Sequence, residues 1–147
     1  MTKTLTAGLA VLSLGLFAAG CGGSDNKKSS DSESESASTA CKASALKGAS
    51  GLPAAFPIPG ELTLTKTTKD GPTVVVDGYW TAGVKEAHDE YLDQVKQAGY
   101  KVLFNELEEH DSEISYSGSG KTGQIALRGD CTEGSDVTRV HITNRPA

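Results

Sequence analysis

The chain has 147 residues, with 14 Lys and Arg against 19 Asp and Glu, three cysteines and 37 % apolar residues. A net charge of −5 without a basic cluster lacks the electrostatic footprint of a nucleic-acid binder and of a polybasic membrane patch, so neither partner is expected. The length allows one domain with a core that needs no structural metal.

Met1-Thr2-Lys3-Thr4 carries one positive charge, residues 5–17 carry none, and small residues follow. That order predicts a secretory signal peptide. The apolar run is about 16 residues even when extended to Gly20, short of the roughly 20 a spanning helix needs. Ala18-Ala19-Gly20-Cys21 then resembles the lipobox of bacterial lipoproteins, with Ala18 where leucine is usual. The resemblance implies cleavage after residue 20 and a diacylglyceryl group on the sulfur of Cys21. Two acyl chains (palmitate-like) hold a protein stably on a bilayer, whereas one holds it marginally. The expected location is therefore the outer, extracytoplasmic face of the cell membrane.

Residues 22–40 are Gly, Ser, Asp, Glu, Lys, Asn, Ala and Thr, with no large apolar side chain. Burial cannot offset the entropy of ordering them, so residues 21–40 read as a lipidated cysteine plus a disordered tether with a reach of about 25 Å. With Cys21 lipidated, Cys41 and Cys131 are left with one pairing. Outside the cytoplasm a disulfide between them is expected.

The folded part is expected over 41–147. A turn of helix is predicted within 44–50. Three prolines between Leu52 and Gly60 predict an extended, polyproline-like path that docks Phe56 and Ile58 on the core edge. Residues 61–68 and 73–80 alternate as strands around a turn at Lys69-Asp70-Gly71-Pro72. Residues 84–98 carry Val84, Ala87, His88, Tyr91, Leu92, Val95 and Ala98 at three- and four-residue steps, the apolar stripe of a helix. Thr81 or Gly83 can cap its start, and Gly99 suits its stop. Four more strands are predicted over 100–107, 113–118, 123–128 and 137–143. The order ββαββββ with short connectors gives an α+β, two-layer domain: an antiparallel sheet of five to six strands packed against one long helix.

Several residues invite chemistry. Gly118-Ser119-Gly120-Lys121-Thr122-Gly123 looks like a phosphate loop, but the glycine that motif needs falls on Ser115 and a strand follows, so a hairpin turn is predicted. His88, His110 and His141 are scattered, with His88 read as a boundary residue of the stripe. Glu106, Glu108, Glu109, Asp111 and Glu113 form an acidic patch over 106–113. It reads as solvated loop charge, with cation binding left open because the calcium-loop spacing is absent. Tyr79 and Trp80 are either a binding shelf or core.

The tether, the Phe56-Pro57-Ile58-Pro59-Gly60 lead-in and the Tyr91-Leu92 and Gly99-Tyr100 pairs, together with the lipobox, make the chain resemble small, uncharacterised lipoproteins of high-GC Gram-positive bacteria. That resemblance supplies no activity, cofactor, metal or catalytic residue. The expected function is a non-catalytic binding or interaction module of the cell envelope, with an envelope protein or a small molecule as partner. The alternatives are an envelope-directed hydrolase, which should show Ser, Asp or Glu within hydrogen-bond reach of a histidine in a cleft, and a structural surface lipoprotein without ligand.

Overall fold

A computed structural model describes residues 41–48, 50–131 and 136–147. The leader, Cys21, the tether and the connector at 132–135 lie outside the described residues.

Six strands and one helix follow in the predicted order: β1 (Leu62–Asp70), β2 (Thr73–Trp80), α1 (Val84–Gln97), β3 (Lys101–Leu107), β4 (Asp111–Gly118), β5 (Lys121–Arg128) and β6 (Thr138–Pro146). They form one antiparallel sheet in the order β1-β2-β6-β5-β4-β3, with α1 packed on one face. The domain is thus α+β in two layers. β6 does not join the edge. It enters between β2 and β5, pairing Val76 with Ile142 on one side and Ile125 with Ile142 on the other.

Local chemistry explains the elements. α1 starts after Gly83, whose side-chain-free N-cap leaves the first amides without a side-chain acceptor. It stops at Gly99, which sits at φ 81°. There the Tyr100 N–H donates to Val95 O at 3.1 Å and the Gly99 N–H to Lys96 O at 3.0 Å, the paired bonds of a Schellman stop. Ser119 and Gly120, both at positive φ, make the two-residue turn between β4 and β5, and Gly71-Pro72 joins β1 to β2. The phosphate-loop look-alike is a hairpin turn.

The core lies between the sheet and α1. Val76, Trp80, Ile114, Tyr116, Ile125, Leu127, Val140 and Ile142 from the sheet are fully buried, as are Ala87, Tyr91 and Val95 from α1. Phe56 closes one end against the rings of Tyr100 and Tyr116, at 5.6 and 5.2 Å between centroids. Cys41 and Cys131 are joined by a disulfide across a sequence separation of 90, and both are buried.

Three local expectations fail. Residues 44–48 and 50 form no helical turn. Instead Leu46 N donates to Leu64 O at 2.7 Å and Thr67 Oγ1 to Ser50 O at 3.0 Å, so β1 supplies the polar partners a helix turn would have supplied internally. The proline segment is not extended throughout: Phe56 N donates to Pro53 O at 2.9 Å, closing a turn with Ala54 and Ala55 at its centre. That turn buries Phe56 and leaves Ile58 39 % exposed, so only one of the two side chains docks.

Candidate functional site

Side chains on the helix-facing side of the sheet alternate strictly with those on the other side, because successive strand residues point to opposite faces. The second face is half-buried by its own side chains, and no described element covers it. Register arranges it in rows. One runs Lys66, Asp77, His141, Ala126, Glu113, Glu106, and the next Thr68, Val75, Thr143, Gln124, Ser115, Phe104.

The first row is an electrostatic network. His141 Nδ1 lies 2.7 Å from Asp77 Oδ1. That hydrogen bond holds the Asp77 carboxyl below the usual carboxylate range, with Lys66 and Arg139 pulling the same way against desolvation. Gln124 Nε2 donates to Glu113 at 2.8 Å, and Arg128 pairs with both Glu113 and Asp111. The acidic run is therefore not one loop patch. Glu106 lies in β3 and Glu113 in β4, facing each other across the ladder, and two of its carboxylates share Arg128. Among the described residues no group of three or more His, Cys, Asp or Glu is arranged to hold a metal ion.

Below the second row lies a trough of about 470 Å³ that crosses β2, β6, β5, β4 and β3. Its floor carries Ser115, Gln124 and Thr143, with Arg145 on one side and Leu103 on the other. Leu103 reaches it because β3 bulges between Val102 and Phe104, so that Leu103 has no partner of its own on β4 and Ser115 pairs with Phe104. Leu103 and Phe104 are 55 % and 50 % exposed, the most exposed of the large apolar side chains described.

The histidines separate. His110 is exposed in the β3–β4 turn beside Glu109. His88 corrects its sequence reading: it is not a boundary residue but is 3 % exposed under α1, with Nδ1 2.6 Å from Ser112 Oγ. The hydrogen-bond partner is what lets an imidazole sit in the apolar stripe. This is the serine–histidine meeting a hydrolase would need, but Ser112 is 1 % exposed and neither residue lines the trough. Tyr79 and Trp80 form no shelf, since they point to opposite faces; Trp80 is buried against Tyr91 at 5.7 Å between centroids.

Burial pushes the His88 imidazole below its ordinary value of 6.5, and Lys85 and Lys96 push the same way against the pull of Asp89. The unfolded chain therefore takes up a proton that the folded chain refuses. His88 contributes stability that is complete above pH 6.5 and is lost as the pH falls below it toward the folded-state value. Urea melts recorded across this range should show the midpoint falling with pH, and His88→Gln should flatten that slope. A slope unchanged by His88→Gln would assign it to other groups. Asp77 acts in a lower window, its contribution fading as pH drops below 3.8.

No helix among the described residues is long and apolar enough to cross a membrane. No protein-family model matches the chain, and comparison with curated proteins gives no match.

Proposed function

We propose that this protein is a lipoprotein anchored through Cys21 to the outer face of the cell membrane, where its domain acts as a non-catalytic binding module. The supporting observation is a sheet with one face under α1 and the other, rows of polar side chains around a trough, uncovered by any described element. The buried Cys41–Cys131 disulfide agrees with an oxidising compartment. The tether would enter the domain at that staple, leaving the open face free to meet an envelope protein or a small ligand.

Intact mass of the mature protein, extracted from membranes, tests the anchor. The expected mass is that of residues 21–147 plus acyl chains, rising by two hydrogens on reduction, and Cys21→Ser should move the protein from the membrane to the soluble fraction. An unlipidated mass would overturn the proposal.

A hydrolase reading rests on the 2.6 Å contact between His88 and Ser112. It requires α1 to lift before any carbonyl reaches Ser112 Oγ, which disfavours it against the binding module.

A further inference from the structure

Five strands contribute to the trough, yet its lining holds a single charged side chain, Arg145. Arg145 is exposed and has no carboxylate partner among the described residues. The other arginines of this face differ: Arg128 is held by Glu113 and Asp111, and Arg139 by Asp130. Two carboxylates of the face are committed as well, Asp77 to His141 and Glu113 to Gln124 and Arg128, and no carboxylate lines the trough.

The floor is rich in donors. Thr143 Oγ1 accepts from the Gln124 N–H at 3.1 Å, which leaves its own hydrogen to give. The side-chain hydroxyls of Ser115 and Thr73 line the trough with no hydrogen-bond partner among the described residues. The amide of Gln124 spends its N–H on Glu113, which leaves its oxygen as an acceptor. At the far wall the β3 bulge puts Leu103 into the trough beside exposed Phe104. Arg145 on β6 and Leu103 on β3 are three strand spacings apart, about 14 Å.

From this we infer that the trough binds a small, elongated anionic amphipath. Its carboxylate or phosphate would meet Arg145, a polar linker would lie over the hydroxyls of Ser115 and Thr143, and its apolar end would rest on Leu103 and Phe104. The uncommitted guanidinium selects the sign of the head group, because it offers a fork of donors that an oxyanion satisfies. The bulge selects the apolar end. A regular β3 would turn Phe104 to the helix side, whereas the bulge leaves it beside Leu103 on the open face. The volume falls within the range of small-molecule sites.

This inference rests on the open face being the binding side of the module. The test uses the mature chain with Cys21→Ser and the probe N-decanoylglycine, which carries a carboxylate, an amide and an alkyl chain. Calorimetric titration below micelle-forming concentrations should give saturable one-to-one binding. Arg145→Gln and Leu103→Ser should each weaken it roughly tenfold, as should replacing the probe by its methyl ester, while Lys66→Gln should leave it unchanged. Both key side chains are exposed, so the variants keep the fold, which an unchanged melt would verify. Absence of saturable binding, or binding indifferent to both Arg145→Gln and Leu103→Ser, overturns the inference. An acylated mass with no probe binding would sink the trough alone, and an unlipidated mass with Arg145-dependent binding would sink the anchor alone.

Discussion

Cys41→Ser combined with Cys131→Ser should cost the domain roughly 4–5 kcal/mol. The bond closes a loop across a sequence separation of 90, and in the chain-entropy model a loop of that size removes about that much free energy from the unfolded ensemble. For a domain whose whole stability is of the order of 5–15 kcal/mol, the loss is a large fraction. Urea denaturation of the wild type and the double variant, with and without reductant, checks it. The wild type should lose its advantage on reduction and then match the variant. A midpoint unchanged by reduction would show that residues 41–61 hold β1 well enough without the covalent bond. Single replacements are less informative, since they leave a free thiol in the core.

Gly123→Ala should destabilise the fold by about 3 kcal/mol, although it adds one methyl group. Gly123 pairs with Tyr116 on β4 and Asn144 on β6. A Cβ there would sit 1.9 Å from the Thr143 carbonyl oxygen and 2.6 Å from Tyr116 Oη. Those two atoms are bonded to each other: Tyr116 Oη donates to Thr143 O at 2.8 Å and accepts from Asn144 Nδ2 at 2.9 Å. The neighbours cannot yield, because one is backbone and the other a buried phenol. Burial has pushed that phenol up to about 12, so it stays a neutral donor across the physiological range. Overpacking alone costs roughly 1–3 kcal/mol. The orphaned phenol and amide add to it. Thermal melts of Gly123→Ala against Gly120→Ala provide the comparison, since a Cβ at Gly120 meets open space and its cost comes only from the positive φ. Equal melts for Gly123→Ala and wild type would refute the close-approach account.

The sequence carried the elements because each announced itself by local pattern. The α1 stripe at three- and four-residue steps became the buried face of the helix, and Gly99 became its left-handed stop. Alternation in Ile125/Leu127 and Val140/Ile142 became the core face of β5 and β6. What local pattern could not carry was pairing between distant strands. Nothing in residues 137–143 says that they slot between β2 and β5. The Asp77–His141 pair exists only because of that insertion. His88 was misplaced for a related reason: a histidine in a stripe reads as a boundary until its partner Ser112 is seen on another element. The trough needed the bulge in β3, and a run such as Val102-Leu103-Phe104 gives no sign of which residue will be the extra one.

The placement of β6 also fixes the order in which the sheet becomes whole. β1 and β2 close as one hairpin, and β3, β4 and β5 as a meander, each through short connections. Neither set touches the other along a strand until β6, made last of the six, arrives to pair with both. Until then β2 and β5 are open edges bearing Val75, Val76, Ile125 and Leu127, available to any other chain in the same state. A nascent domain of this design is therefore two incomplete halves for nearly all of its synthesis. Its slow step should be the long-range capture of the final strand.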